Sequence, residues 1–151
     1  MKVLVLLTAL LVTGCGPIPG GSLSGTMTDV PDSWQEILSD NQICEIESRL
    51  EDPHSIQVEC FLYEDDVYVQ SHRYVDASWW PTESWALIWQ QHPGITVRFE
   101  ESLFLMDAVR ITDLELRETV LKLRGYDPVP DGIVLFRFDK AKNPESKANR
   151  S

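Results

Sequence analysis

The chain has 151 residues, of which 43% are hydrophobic and 25% charged, as is typical of a single globular domain. Its formal net charge of −11 excludes an extended nucleic-acid-binding surface, which needs a basic face, and disfavours broad contact with anionic lipid. The sequence carries no phosphate-binding loop, zinc-ligand set or nucleophile elbow, so it predicts no metal site and identifies no catalytic residue.

The first fifteen residues resemble a bacterial lipoprotein leader. Lys2 supplies a positive charge, and residues 3–12 form an apolar run that is too short to span a bilayer. Because the run ends in Val-Thr-Gly-Cys, we expect cleavage before Cys15, lipid on its sulfur and an added acyl chain such as palmitate. Gly16, by resemblance to enterobacterial sorting rules, favours the outer membrane facing the periplasm. The alternative is an ordinary secretory signal followed by a chance cysteine.

Composition divides the chain into four parts. The stretch after the cysteine is rich in Gly, Pro, Ser and Thr, as is typical of a tether, although its Leu23 and Met27 could still dock on the folded domain. The C-terminal residues are polar, with little to bury. The predicted parts are a signal peptide (1–14), a lipid-anchored tether (15–30), a folded domain (31–138) and a disordered tail (139–151).

The folded domain begins with a short helix at Pro31–Trp34, and then alternating apolar residues predict strands. The predicted strands are 43–50, 55–63, 67–75, 95–99, 103–111 and 133–138. Pro81 and Thr82 start a helix that continues to about Gln91, and a capping box at 112–115 opens another that stops at Gly125. Six short strands with two helices outside predict a mainly β (α+β) fold, a small antiparallel barrel.

Cys44 and Cys60 are predicted to form a disulfide. Both lie on the apolar faces of their strands, and a hairpin folded about a turn at 51–54 sets them nearly opposite each other. Such a bridge would contribute about 3 kcal/mol. Metal binding is the alternative, but His54 is the single further ligand nearby.

Four motifs occur in an order that resembles the FMN-binding split-barrel family, of the pyridoxamine 5'-phosphate oxidase-like and deazaflavin-dependent nitroreductase-like type. The motifs are Val67–Ser71, Trp85–Val97, Ala108–Asp113 and Pro130–Phe136. The resemblance as a whole covers about residues 43–138. The resemblance implies a six-stranded antiparallel split β-barrel, an FMN or deazaflavin cofactor, oxidoreductase activity and a homodimer with ligand at the subunit interface.

The first hairpin departs from that pattern. Cofactor-binding members carry a Gly-Arg-Lys-Ser-Gly-like loop that holds phosphate, whereas residues 48–55 lack glycine and contain Glu51 and Asp52. Carboxylates repel phosphate, and an envelope protein would also need cofactor outside the cytoplasm. We therefore expect no cofactor and a membrane-anchored lipoprotein whose barrel binds a ligand or partner without redox chemistry. The alternative is an FMN- or deazaflavin-dependent oxidoreductase, so whether the chain is an enzyme stays open.

Two groups of residues are candidates for ligand binding. Ser71, His72 and Arg73 end the third strand, where the resemblance implies phosphate or ring contacts, although Arg73 could instead pair with one of many surface acids. Trp79 and Trp80 are adjacent, so both cannot face one core, and at least one is expected in a groove or at a surface.

Overall fold

The computed structural model describes residues 20–39, 41–48, 52–71 and 84–142. Within these ranges it contains a short 3₁₀ helix at Trp34–Glu36, two α-helices and seven strands. The strands are β1 (Thr26–Met27), β2 (Asn41–Ser48), β3 (His54–Tyr63), β4 (Asp66–Ser71), β5 (Gly94–Phe99), β6 (Ser102–Arg110) and β7 (Val134–Lys140). The helices are α1 (Trp85–Gln91) and α2 (Leu114–Leu123).

Six of the strands close into an antiparallel barrel. The order around it is β2–β3–β4–β7–β6–β5, with β5 paired back to β2, and β1 adds a short parallel pairing to the start of β6. This architecture confirms the predicted mainly β fold with two helices and a six-stranded antiparallel barrel.

The barrel interior is filled by side chains. Alternate residues of each strand point inward, as Cys44 and Ile46 of β2 and Val67 and Val69 of β4 show, and all four are nearly inaccessible to solvent. A barrel of six strands is narrow enough for its own side chains to fill. A ligand of any size must therefore bind at an end or on the outer surface.

Two short helices plug the two ends of the barrel. We call the end that carries the β2–β3 loop, Ser71 and the start of β7 the hairpin end, and the end that carries the β3–β4 and β5–β6 turns the turn end. Trp89 of α1 and Trp34 of the 3₁₀ helix both belong to the main core cluster. Because α1 connects β4 to β5, it covers the hairpin end, whereas Trp34 contacts Phe99 and Phe104 at the turn end.

α2 packs on the outside of the barrel. Its Val120 and Leu121 join a second core cluster with Phe61, Tyr68 and Leu135, which are outward-facing residues of β3, β4 and β7. The helix begins at Asp113, whose carboxylate accepts hydrogen bonds from the backbone N–H groups of residues 115 and 116. The predicted helix is therefore present, with Asp113 rather than Thr112 as its N-cap.

The predicted disulfide between Cys44 and Cys60 is present, but in a different register. Cys44 pairs with Val58 and Cys60 with Gln42, so the cysteines lie diagonally, with their Cα atoms 5.9 Å apart. The loop of this hairpin lies between Ser48 and His54, one residue longer than the predicted turn at 51–54. Cys44 therefore lies opposite Val58 rather than Cys60, a difference of two residues, and such an even shift keeps the side chains on their predicted faces because the side-chain period of a strand is two.

Residues 20–28, part of the predicted tether, dock on the barrel surface, and we call them the strap. The backbones of Gly20 and Ser55 exchange two hydrogen bonds of 2.9 Å, and the Leu23 N–H donates to Glu47. Arg98 of β5 donates to the carbonyl of Ser24, and residues 26–27 pair with β6. The strap thus crosses β3, β2, β5 and β6 in turn.

The C-terminal boundary also differs from the predicted one. Asp139 and Lys140, which composition assigned to the tail, belong to β7 and pair with Asp107 and Met106 of β6. Ala141 is buried as well. The folded domain therefore begins before residue 31 and ends after residue 138.

Candidate functional site

Of the predicted ligand-binding residues, the structure describes Ser71. It is the last residue of β4, pairs with Val134 of β7 and is 6% exposed. Its side chain points inward with those of Val67 and Val69, because alternate residues of a strand share a face. His72, Arg73, Trp79 and Trp80 lie outside the described residues, as does the predicted lipidation site Cys15.

An aromatic cluster fills the hairpin end close to Ser71. Trp89 is fully buried and packs edge-on against Phe136 and Phe138, with ring centroids 5.4 and 5.7 Å apart. Trp85 is half-buried, and its ring centroid lies 4.4 Å from that of Trp89. The helical spacing of the two tryptophans predicts this packing role.

The indole nitrogen of Trp89 is the unusual feature of this cluster. Its N–H is buried and has no hydrogen-bond acceptor among the described residues. Leaving a buried donor unpaired costs about 1–3 kcal/mol, so an acceptor brought to this atom would be stabilised. The sequence gives no signal of this atom, because the spacing of the tryptophans indicates packing alone.

The described arginines do not fit a binding site for the phosphate of a flavin. All five are engaged by acceptors of this chain: Arg98 with Glu45, Arg110 with Gln90, Arg117 with the carbonyls of Pro130 and Ile133, Arg124 with Glu59, and Arg137 with Asp139. A phosphate would have to displace these partners to gain charge-assisted hydrogen bonds. Asp52, in the loop where cofactor-binding relatives hold phosphate, is exposed and negatively charged.

Arg124 has contacts that its position in the sequence does not predict. Its position after α2 predicts no more than a favourable interaction with the helix dipole. In the structure its side chain also donates to Asn41, forms a 3.0 Å ion pair with Glu59 and lies 4.5 Å above the ring of Phe61. These partners are distant in sequence, so no local pattern marks them. Arg124 therefore fastens α2 to the barrel.

Charges at the turn end form a structural network. Arg137 lies 2.6 Å from Asp139 and 3.7 Å from Asp66, and its hydrogen bond to Asp139 is the main reason that the pKa of Arg137 is raised. Burial raises the pKa of Asp66, and Arg137 opposes this rise only in part. Burial also raises the pKa of Tyr68. These groups link β4 to β7 on the outer face of the barrel.

The described part of the chain contains neither a candidate metal site nor a membrane-spanning helix. It holds no group of three or more His, Cys, Asp or Glu side chains that could bind a metal ion. None of the helices described is long and apolar enough to cross a membrane.

The solved structures that resemble this chain include two distant ones. No protein-family model and no curated protein matches the chain. Among solved structures, it is similar to a NimC/NimA family protein from Clostridium acetobutylicum, with 15% identity and a TM-score of 0.49 over 69% of this chain and 77% of that one. It is also similar to an FAD-binding protein from Mesorhizobium loti, with 14% identity and a TM-score of 0.49 over 84% of this chain and 94% of that one. At these values neither likeness assigns an activity or a cofactor to this chain.

Proposed function

We propose that this chain is an envelope lipoprotein, anchored by lipid on Cys15, whose split barrel binds a small ligand or a partner without redox chemistry of its own. The observation that carries the proposal is the engagement of all five described arginines by acceptors of the same chain. Together with the acidic first hairpin, this leaves no described arginine without a partner in this chain that could receive the phosphate of a flavin.

The buried disulfide supports the envelope location. Cys44 and Cys60 are at most 1% exposed and are bonded to each other inside the barrel. Disulfides form and persist in oxidising compartments and are rare in the cytosol. The apolar leader that ends at Cys15 supports export and lipid attachment.

The hairpin end is the part of the barrel best suited to binding. The interior is filled, whereas this end combines a half-buried tryptophan with the unpaired N–H of Trp89. An aromatic surface with one polar donor favours a flat ligand or an apolar side chain of a partner that carries a hydrogen-bond acceptor.

The lipid anchor is tested with Cys15→Ser in the full chain. We expect loss of acyl chains from the N-terminal peptide and release of the protein from the membrane fraction. Ser24→Ala is the matched control, because Ser24 accepts its hydrogen bond from Arg98 through the backbone carbonyl, and this variant should stay acylated. An N-terminal peptide of the unmodified chain without acyl groups would overturn the anchor.

The absence of flavin chemistry is tested with the soluble domain from a flavin-replete host. We expect a colourless protein whose visible spectrum and tryptophan fluorescence do not change when FMN is added. Stoichiometric flavin that is lost in Arg73→Ala would overturn the binding-module proposal and favour the oxidoreductase.

A further inference from the structure

The strap fixes where the N-terminal part of the chain reaches the barrel. Gly20 is held between two backbone hydrogen bonds to Ser55, close to the β2–β3 loop. The approach is tight, since a Cβ atom added at Gly20 would lie 2.4 Å from the hydroxyl oxygen of Ser55. The first described contact of the strap with the barrel therefore lies at the hairpin end.

The length of residues 15–19, which we call the lead, limits the distance between the lipid on Cys15 and the barrel. Cys15 and Gly20 are five residues apart, so even a fully extended chain spans at most about 18 Å between them. Tyr63, at the other end of β3, lies about 27 Å along the strand from Ser55, at roughly 3.4 Å per residue. Because barrel strands tilt by about 35–45° from the barrel axis, this length corresponds to roughly 19–22 Å between the two ends. The lead can therefore bring the hairpin end to a bilayer surface but falls just short of placing the turn end there.

Charge distribution favours the same orientation. Carboxylates concentrate at the turn end, in its two turns and on the adjacent 3₁₀ helix: Glu36, Glu64, Asp65, Asp66, Glu100 and Glu101. At the hairpin end, the described residues include three exposed carboxylates, Asp52, Asp113 and Asp131, together with exposed Arg110 and His92, so the negative charge there is smaller. An anionic bilayer repels clustered carboxylates within about 10 Å of its surface, so it disfavours the turn end.

From reach and charge we infer that the hairpin end rests on the phospholipid bilayer surface, with the turn end directed away from it. This inference rests on the proposed lipid anchor at Cys15. It adds that the ligand or partner is met in the layer next to the membrane, since the aromatic cluster of Trp85 and Trp89 lies at the hairpin end.

The test uses the full lipidated chain in vesicles of phosphatidylethanolamine with a minority of phosphatidylglycerol. A fluorophore is attached at Asp52→Cys in one sample and at Glu36→Cys in the other, and nitroxide-headgroup lipids quench it. Both positions are exposed carboxylates, and they lie at opposite ends of the barrel. We expect several-fold stronger quenching at position 52. Equal quenching at both sites, or stronger quenching at position 36, would overturn the orientation.

A longer lead provides the matched control. Inserting about twenty Gly and Ser residues after Gly16 adds roughly 25 Å of r.m.s. reach and should remove most of the difference between the two labels. The difference persisting unchanged would contradict the role of the short lead. Mass analysis of the N-terminal peptide separates the two proposals. An unacylated Cys15 overturns the anchor, whereas an acylated chain with equally quenched labels overturns the orientation alone.

Discussion

The two ends of the barrel are plugged by tryptophans, but the two plugs differ in their polar contacts. At the turn end, Trp34 packs edge-on against Phe99 and Phe104, with centroids 5.6 and 5.2 Å apart. One carboxylate oxygen of Asp65 accepts hydrogen bonds from the Ser33 hydroxyl and from the backbone N–H groups of residues 34 and 35. At the hairpin end, Trp89 makes equivalent aromatic contacts, but its indole N–H has no acceptor among the described residues.

Under the proposed function, this difference distinguishes a structural turn end from a ligand-binding hairpin end. Buried polar groups are nearly always satisfied where a protein is optimised for stability, and exceptions concentrate at sites that serve another purpose. At the turn end, Asp65 accepts hydrogen bonds from three donors and the carboxylates cluster, whereas the hairpin end keeps the unpaired indole N–H and is where Gly20 of the strap pairs with Ser55. We therefore expect substitutions at the turn end to change stability, and those at the hairpin end to change binding.

The largest expected effect is that of Trp34→Ala. Removing this nearly buried ring from between two phenylalanines should lower the free energy of unfolding by about 3–5 kcal/mol, because the contacts are lost and a cavity remains. Urea unfolding followed by circular dichroism measures it. Ile37→Ala, in the same segment but 36% exposed, is the control and should cost less than about 1 kcal/mol. Equal costs for the two variants would contradict the role of Trp34 as a plug.

Asp65→Ala should have an intermediate effect. It removes the acceptor of three donors at the start of the 3₁₀ helix, and we expect a loss of about 1–3 kcal/mol in the same urea experiment. Glu64→Ala is the matched control, because Glu64 also has a positive φ, of 50°, in the same turn. If the control costs as much as Asp65→Ala, backbone strain rather than lost hydrogen bonds explains the result.

Trp89→Phe should have the smallest effect on stability, below about 1 kcal/mol. Phenylalanine keeps an aromatic ring against Phe136, but its smaller size leaves a cavity that lowers stability. The substitution also removes a buried donor that no described residue satisfies, which raises stability, so the two contributions offset each other. A loss above about 2 kcal/mol would show that the indole N–H is paired and that the two ends are alike.

Local patterns predicted the barrel well but not the strap. Alternating residues such as Cys44 and Ile46 carry a period of two, so strand existence and inward faces could be read directly. The strap has no period, and its partners, from Glu47 to Leu103, are distant in the chain. Its composition is that of a flexible linker, and it is docked by long-range hydrogen bonds between its backbone and the backbone and side chains of the barrel.

The candidate site was harder to predict than the fold. Ser71 could be placed at a strand end from the sequence, but its inward direction depends on the register of β4 with β7. The Trp89 indole nitrogen is unpaired because none of the described residues packed around it places a hydrogen-bond acceptor next to it. The ion pair between Arg124 and Glu59 depends on how α2 lies across β3. Such properties arise from tertiary packing, which residue spacing does not encode.

Hydrogen–deuterium exchange on vesicle-bound lipidated protein, compared with the soluble Cys15→Ser protein, tests the central claim most directly, namely that the hairpin end is the functional, membrane-facing end. We predict slower exchange on vesicles in residues 52–55 and 90–94, with residues 32–38 and 64–66 unchanged. Protection of residues 64–66, or equal protection at both ends, would contradict the account.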